Sequence, residues 1–361
     1  MSKGNVMIMA GGTGGHVIPA LSVATELREK GYKIHWLGSE HGIENDLVPD
    51  AGYSLHRIQV TGLRGNGLVR KLKAPFAIAK AVVQAYKLFK DIKPVVALGM
   101  GGFASGPGGI VARLRGVPLV LHEQNAIPGL TNKVLSKFSR QLLQAFDGTF
   151  PHSAGVKTVG NPVRSSIANL PDAEDRISQK DEPLNVLVVG GSLGAVALND
   201  AVIAASEKLV ADGIIQLWHQ VGKRNYEAVK NDYHEKGIKH VRVAAFIADM
   251  AEAYQWADIV ICRSGALTVS ELMAGGVASI LVPFPYAVDD HQTANARFLS
   301  EHNAAVLCPQ AELTTEFLQR QLTHFFSNKQ ELIAMANAAR EKAQPNAAKV
   351  VASICIEVAN G

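Results

Sequence analysis

The 361-residue sequence has little cysteine and no long uninterrupted apolar run. Its cysteines, Cys262, Cys308 and Cys355, are widely spaced and odd in number, which fits neither a disulfide framework nor a zinc site. No stretch approaches the roughly 20 apolar residues of a membrane-spanning helix. Glycines interrupt the first apolar run after Ala10, so no signal peptide is predicted. We therefore expect a cytoplasmic protein.

Acidic residues are absent between Asp50 and Asp91, although the whole chain carries a net charge of only +4. Apolar residues alternate there with cations: Arg57, Arg64, Arg70, Lys71, Lys73, Lys80, Lys87 and Lys90. An anionic membrane surface attracts such a basic amphipathic helix by about 1 kcal/mol per well-placed cation. A solvated helix whose apolar stripe faces the protein core fits the same residues equally well. No nucleic acid is expected as a partner, because the stretch has few aromatics and no recognised binding motif.

Glycine, in contrast, is abundant, and much of it directly follows predicted strands. Backbone N–H groups in such a loop, with the dipole of the helix that follows, favour an anion. One loop of this kind is a weak signal, whereas three at strand ends together predict phosphate binding. The loops are 11–16 after the strand 6–10, 99–109 after the strand 95–98, and 190–195 after the strand 187–189.

Alternating strand and helix patterns predict two mostly parallel α/β sheets with right-handed crossovers. A boundary is predicted near residues 160–163, because 171–183 are polar and lie between two prolines. The expected architecture is α/β, with two Rossmann-like domains that face each other across a cleft. The predicted strands are 6–10, 34–37, 95–98 and 119–122 in the first half, and 184–189, 216–220, 241–245, 259–262 and 279–282 in the second.

Two other enzyme classes share parts of this pattern. A dinucleotide-binding dehydrogenase would need a third glycine where Val17 stands, and Glu40, its acidic ribose ligand, is displaced. A hydrolase would use Ser192 in a G-x-S-x-G motif, followed by Asp289 and His291 in the right order. That reading leaves two glycine loops unexplained, and Ser192 is equally suited to donating its hydroxyl to a phosphate.

The most specific segment of the second half is 263–277, which places a Gly–Ala turn at a helix start. Glu271, about one turn into that helix, suits both hydroxyls of a ribose, although simple complementarity to the helix dipole is the common role of such a carboxylate. Asp289 and Asp290 follow at a strand-to-helix turn. Adjacent acids there are interpreted as caps rather than metal ligands, because no other acidic cluster accompanies them.

These segments together resemble the MurG family of bacterial peptidoglycan glycosyltransferases over nearly the whole chain. The resemblance implies the GT-B fold, with domains 1–163 and 164–340 and a last helix, about 341–361, that packs back on the first domain. It also implies inverting transfer of GlcNAc from UDP-GlcNAc to the C4 hydroxyl of the muramyl sugar of lipid I, which forms lipid II. It is carried by 11–17 with Pro19, 99–109, 122–129, 160–164, 190–195 and 263–271.

The resemblance also implies the site residues. Uracil is expected at the Ile247 backbone, the ribose at Glu271, the diphosphate at Ser192 and the helix start, and the sugar at Gln292. Phe103 and His291 depart from the residues common in the family. The implied donor contacts are Gly12, Thr13, Gly14, Asn125, Arg164, Ser192, Ile247, Ala266, Leu267, Thr268, Val269, Ser270, Glu271 and Gln292, and the implied acceptor contacts are Gly101, Gly102, Phe103, Ser105, Gly106 and Glu123.

His16, at a helix start where the dipole disfavours imidazolium, is the candidate base, with phosphate binding or loop capping as its alternative role. Arg164 and backbone N–H groups meet the leaving-group charge, so no metal or cofactor is expected. The expected place is the cytoplasmic face of the inner membrane, as a peripheral protein in cell-wall synthesis with other proteins of that machinery as partners. Another GT-B glycolipid transferase, a UDP-GlcNAc 2-epimerase and a non-catalytic nucleotide-sugar binder are the alternatives.

Overall fold

The computed structural model describes residues 3–60, 68–152, 155–178, 182–191, 194–239 and 241–361, with backbone only for 68–74. The chain divides into two compact units. The first consists of Met1–Val163 with Gln344–Gly361, and the second of Arg164–Ala343. Each unit has a parallel sheet and a hydrophobic core of its own.

The first unit is built on strands β1 (Asn5–Met9), β2 (Lys33–Ser39), β3 (Ser54–Ile58), β4 (Val96–Gly99), β5 (Leu119–Glu123), β6 (Gln141–Gln144) and β7 (Lys157–Thr158). Within the described residues these form a sheet in the order β3-β2-β1-β4-β5-β6-β7, and every pair is parallel. The chain adds strands on one side of β1 and then returns to add β4 on the other, so the topology switches between β1 and β4. The helices are α1 (Gly14–Glu29), α2 (Glu44–Asp50), α3 (Leu68–Ile92), α4 (Ser105–Leu114) and α5 (Leu130–Leu135).

Strand β1 shows why the first sheet reads as apolar runs in the sequence. Val6 and Ile8 point into the core on one face of the sheet, and Met7 and Met9 point into the core on the other. All four side chains are fully buried. A strand that is covered on both faces needs apolar residues at every position, which is typical of parallel sheets.

The second unit repeats the scheme with strands β8 (Leu184–Val189), β9 (Ile215–Gln220), β10 (Val241–Ala244), β11 (Ile259–Cys262), β12 (Ser279–Leu281) and β13 (Val306–Leu307). Across the described part of the chain their order is β10-β9-β8-β11-β12-β13, all parallel, so this topology switches between β8 and β11. The helices are α6 (Ser165–Ala168), α7 (Ala173–Arg176), α8 (Val196–Ala211), α9 (Tyr226–Glu235), α10 (Met250–Trp256), α11 (Ala266–Gly275), α12 (His291–Ser300), α13 (Thr315–Ser327) and α14 (Lys329–Glu341).

The last helix, α15 (Ala347–Asn360), belongs to the first unit. It packs against α1, and its residues Val351, Ala352 and Cys355 lie in the same core cluster as Val17 and Val23 of that helix. These side chains are at most 2% exposed. The final helix is therefore part of the core of the first unit.

The predicted class, two parallel α/β sheets, is confirmed by this topology. Helix α1 begins at Gly14, inside the predicted loop 11–16, and the last helix begins at Ala347 rather than about residue 341. The short strands β3, β6, β7 and β13 were not predicted from the sequence. In the described residues, no helix combines the length and apolar character that crossing a membrane requires.

Candidate active site

The loops that follow β1 and β4 lie against each other at the switch point of the first sheet. Gly101 and Gly102 have φ of +90° and +83°, a backbone conformation that glycine adopts without strain. A Cβ on Gly102 would overlap the backbone carbonyl of Gly11 and lie 2.8 Å from its nitrogen. Only glycine allows this approach, so the two loops form one packed structure. Parallel α/β folds bind ligands at such a point.

His16 lies in the first turn of α1, directly beside the second of these loops. A Cβ on Gly101 would lie 2.6 Å from Cδ2 and 2.8 Å from Nε2 of the His16 ring. The ring therefore lies over the Gly101 backbone and stays partly exposed. Thr13 is the N-cap residue of this helix. Its backbone is extended, and its exposed side chain makes no cap hydrogen bond. Gly14 is the first residue of the helix.

The residues implied to contact the acceptor divide by exposure. Phe103 is 51% exposed, and Gly106 lies partly exposed in the first turn of α4. Ser105, in contrast, is fully buried, with its hydroxyl 2.8 Å from the carbonyl oxygen of Met9 and 2.7 Å from that of Gly101. Its side chain joins the end of β1 to the second glycine loop and does not reach the surface.

Glu123, at the end of β5, organises the loop that carries Asn125. Its carboxylate is 2% exposed and accepts hydrogen bonds from the backbone N–H groups of Asn125 (3.0 Å) and Gly129 (3.1 Å). The side-chain amides of Asn125 (3.2 Å) and Asn132 (2.8 Å) donate to the same carboxylate. In this structure Glu123 is thus engaged inside the first unit, while Asn125 is partly exposed.

In the second unit a cavity of about 580 Å³ opens at the carboxyl ends of β8, β11 and β12. Gly190, Gly191 and Gly194 form one side of it, and Gly265 and Thr268 form another. Helix α11 begins directly after Gly265, and no side chain of the described residues caps it. Its first N–H groups therefore border a cavity of suitable size for an anion. Ser192 lies outside the described residues.

The residues 266–271 do not all line the cavity. Thr268 lines the cavity, and Leu267 is partly exposed. Val269 is fully buried in the core, and the Ser270 hydroxyl donates to the Ala266 carbonyl oxygen one turn back (2.8 Å). The side chains of Val269 and Ser270 thus face away from the cavity.

Glu271 lies one turn further along α11 and is held by two partners. The Arg164 guanidinium donates from Nη2 to Glu271 Oε1 (3.0 Å), and the Tyr254 hydroxyl donates to Oε2 (3.2 Å). Burial raises the pKa of Glu271 above its usual 4.5, and Arg164 opposes that rise. Burial, followed by the Glu271 charge, raises the pKa of Tyr254 well above its usual range, so the phenol stays a donor.

Tyr254 is a site residue that the sequence did not indicate, and Arg263 was noted there only as the start of the segment 263–277. Arg263 donates to the carbonyl oxygens of Val282 and Pro283 (both 3.1 Å) and lies over the Phe284 ring, and the Gln292 side-chain oxygen accepts the Phe284 N–H (2.9 Å). These contacts fix one wall of the cavity. The only sequence signal for them was the position of Arg263 just before the Gly–Ala turn.

Ile247 lies elsewhere in the same unit, in the loop after β10, and is 6% exposed. Within the second unit, the structure therefore brings Thr268 and Gln292 to one cavity and pairs Arg164 with Glu271. The first unit brings Gly12, Thr13, Gly14, His16, Gly101 and Gly102 together at the β1–β4 switch point.

Two family models match the chain, and both describe glycosyltransferase family 28. The N-terminal domain model matches residues 6–144, and the C-terminal domain model matches residues 185–351.

Curated relatives match the chain from end to end. The UDP-N-acetylglucosamine--N-acetylmuramyl-(pentapeptide) pyrophosphoryl-undecaprenol N-acetylglucosamine transferase of Shewanella frigidimarina (strain NCIMB 400) is 52% identical over 360 residues, or 99% of this chain and 98% of that protein. The protein of the same name from Azotobacter vinelandii (strain DJ / ATCC BAA-1303) is 48% identical over 357 residues, which is 99% of each chain.

Solved structures also match the chain over nearly its full length. The crystal structure of Acinetobacter baumannii MurG superposes with a TM-score of 0.85 and is 44% identical, covering 98% of this chain and 99% of that one. A UDP-GlcNAc 2-epimerase from Neisseria meningitidis superposes with a TM-score of 0.68, covering 98% and 99% of the two chains. At 11% identity the second likeness shows the fold alone.

The pair of Arg164 and Glu271 generates a prediction about stability. Because the pKa of Glu271 is raised in the folded protein, stability falls as the pH rises from the ordinary carboxyl pKa through the raised one. Arg164→Met removes the opposing charge, so we expect a loss of about 1–2 kcal/mol at pH 7, moderated by the solvent that reaches Arg164. The loss should shrink as the pH falls through the raised pKa, where the carboxyl of the folded protein binds its proton. Urea unfolding at several pH values measures it.

A matched control is Lys236→Met, which breaks the exposed pair between Lys236 and Glu207 (3.3 Å). That change should cost less than about 0.5 kcal/mol at any pH. If Arg164→Met costs the same at pH 5 as at pH 7, the buried charge of Glu271 is not the cause.

Proposed function

The chain belongs to the MurG family of glycosyltransferase family 28, and on that premise we propose that it transfers GlcNAc from UDP-GlcNAc to the C4 hydroxyl of the muramyl sugar of lipid I. The product is lipid II, with inversion to a β-1,4 linkage. The observation that carries this proposal is the identity of about half of all residues, over nearly the full length, with relatives whose names state the transfer. The fold is of the GT-B class.

The UDP part of the donor binds to the second unit in this proposal. The uncapped start of α11 borders the cavity that the glycines after β8 also line, and the first N–H groups of α11 hold the diphosphate. Gln292 lines the same cavity and binds sugar hydroxyls. Glu271, held by Arg164 and Tyr254, accepts hydrogen bonds from the ribose, and the Ile247 backbone binds uracil.

His16 acts as the base in this proposal. It takes the proton of the acceptor hydroxyl as the oxocarbenium-like centre forms at the donor sugar. Its place in the first turn of α1, over Gly101, supports the role, because the dipole keeps the ring neutral and able to accept a proton. The charge on departing UDP is met by the N–H groups at the start of α11 and by the exposed part of Arg164.

The acceptor is lipid-anchored, and α3 offers a surface for a membrane. Ala81, Ala85 and Phe89 form its buried face. Exposed residues recur at helical spacing on the outer side, where Phe76 is 79% and Val83 56% exposed beside Lys80 and Lys87. We place this face on anionic lipid at the cytoplasmic side of the inner membrane, as a peripheral contact. Leu68, Lys71, Leu72 and Lys73 belong to the same hypothesis, but their side chains lie outside the described residues.

The reaction is tested by incubating purified protein with UDP-GlcNAc, with and without a short-chain lipid I analogue. We expect UDP release that depends on the analogue, together with a disaccharide product identified by mass spectrometry. Release or C2 epimerisation without the analogue would instead support the epimerase or hydrolase, and would overturn the proposal.

His16→Ala tests the base. Turnover should fall about 100-fold or more, while the dissociation constant of UDP-GlcNAc, measured by calorimetry, should change little, because the groups proposed to hold UDP lie in the second unit. His234→Ala, at an exposed histidine of α9, is the control and should leave both quantities unchanged. A parallel loss of donor affinity in His16→Ala would make His16 a binding residue.

The membrane surface is tested by the double variant Lys80→Glu/Lys87→Glu. Its binding to vesicles that contain phosphatidylglycerol should weaken about tenfold or more in a sedimentation assay, because each cation contributes about 1 kcal/mol. Lys208→Glu/Lys230→Glu makes the same charge change at exposed positions of the second unit and should bind as the wild type does. Equal binding by the two double variants would leave α3 a solvated helix.

A further inference from the structure

A buried carboxylate lies directly beneath the first glycine loop. Glu44, the first residue of α2, is fully buried. Its Oε2 accepts the backbone N–H of Gly12 (2.8 Å), and its Oε1 accepts the backbone N–H (3.0 Å) and the hydroxyl (2.7 Å) of Ser39. One of the N–H groups that the sequence assigns to a phosphate is therefore already bound to an anion of the protein itself.

Three glycines make room for this carboxylate. A Cβ on Gly11 would lie 2.5 Å from Glu44 Oε1, and one on Gly38 would lie 2.9 Å from its Cγ. A Cβ on Gly42 would overlap Oε2, and Gly42 has a φ of +154°. Loops from two neighbouring strands and the start of α2 thus close around one side chain. Part of the glycine in this region serves an internal group rather than a ligand.

The backbone that Glu44 holds is the backbone that the site depends on. Gly11 is the residue against which Gly102 packs. Gly101, the residue before Gly102, lies under the ring of His16. A shift of residues 11–12 would therefore displace the second glycine loop, including the Gly101 backbone over which the His16 ring lies. Because these contacts are as close as those in a packed core, neither loop can shift without displacing the other.

The second unit holds its equivalent loop with a neutral group. Gln220, at the end of β9, accepts the Gly191 N–H with Oε1 (3.1 Å) and donates from Nε2 to the Gly191 carbonyl oxygen (3.0 Å). Strand β9 pairs with β8 as β2 pairs with β1. A neutral amide is compatible with the diphosphate that we propose for the second unit. A buried carboxylate instead disfavours a second anion at Gly12.

We propose that Glu44 is a positioning residue for the transfer reaction: its carboxylate binds the Gly12 N–H, fixes residues 11–12 against Gly102, and thereby holds His16 over Gly101. This inference rests on the proposed function. It predicts a role in turnover and none in UDP affinity, because every contact of the Glu44 carboxylate described above lies in the first unit, whereas the groups proposed to hold UDP lie in the second.

Glu44→Gln is the sharpest variant, because it keeps the shape of the side chain. An amide has one oxygen, so either Gly12 or Ser39 would meet an NH₂ group, and two donors would oppose each other. We expect kcat with UDP-GlcNAc and the lipid I analogue to fall about 10- to 100-fold. The KM for UDP-GlcNAc and the dissociation constant of UDP should stay within about threefold of the wild type, and so should the UDP binding stoichiometry.

Asp46→Asn is the matched control, because it neutralises an exposed carboxylate of the same helix, and it should leave kcat unchanged. Glu44→Asp is measured beside it: it keeps the charge but shortens the reach to Gly12, so kcat should fall with folding intact. Gly102→Ala, which disturbs the same contact from the other loop, should lower kcat in the same way.

The outcomes separate the two proposals. Wild-type protein that forms no disaccharide defeats the proposed function. An active wild type with undiminished kcat in Glu44→Gln defeats only the inference. Loss of kcat and UDP binding in proportion, together with a lower melting temperature, would make Glu44 a general stabilising residue. If Glu44→Gln does not fold, the kcat of Glu44→Asp decides, and a wild-type value overturns the inference.

Discussion

The close approach of two backbones at the β1–β4 switch point is the constraint on which the first unit depends. Gly11 and Gly102 are in contact there, and a single methyl group on Gly102 would overlap the Gly11 carbonyl. Ser105 and Glu44 hold this contact from opposite sides, one through the carbonyl groups at Met9 and Gly101 and the other through the N–H of Gly12. The partly exposed ring of His16 lies over this buried pair of loops.

At several places in the chain a buried carboxylate holds neighbouring segments through hydrogen bonds. Glu44 and Glu123 each accept hydrogen bonds from the backbone of a loop that follows a strand, and Glu271 is held by a tyrosine and an arginine. A carboxylate has four lone-pair sites, so one side chain can order several donors at once. Burial of such a group without partners would be costly, and this cost makes the arrangement specific. The loops of this protein are thus held by polar groups inside it as well as by apolar packing.

Much of the fold could be predicted from the sequence, because its central strands are buried on both faces and read as apolar runs. The strand 184–189 and the strand 259–262 were predicted with the observed bounds. Strands β3 and β7 were not predicted because they are the two edge strands of the first sheet, where several side chains are exposed and no apolar run forms. Helix α2 gives only a weak signal in the sequence, because it is short, carries a proline and begins with three polar residues.

The candidate site was predictable where glycine patterns mark it and not where distant residues complete it. The glycine loops and the start of α11 were visible as local motifs. Tyr254 contacts Glu271 across 17 residues of sequence, and Glu44 contacts Gly12 across 32, so no spacing rule links them. Ser105 stands inside a glycine-rich motif that suggests ligand contact, yet its hydroxyl is turned to the sheet. Local patterns locate a loop, but only the tertiary structure shows which of its groups are already occupied.

The position of α15 has a consequence for how the protein is made. The core of the first unit contains Val351 and Cys355, which the ribosome adds only after the whole of the second unit. The unit that begins the chain is therefore completed last, and its α1 surface stays uncovered while 180 residues of the other unit, Arg164–Ala343, are synthesised and fold. This differs from chains whose N-terminal domain is complete in sequence before the next one begins. A nascent chain of this protein exposes apolar surface for most of its synthesis, and the last helix ends that exposure.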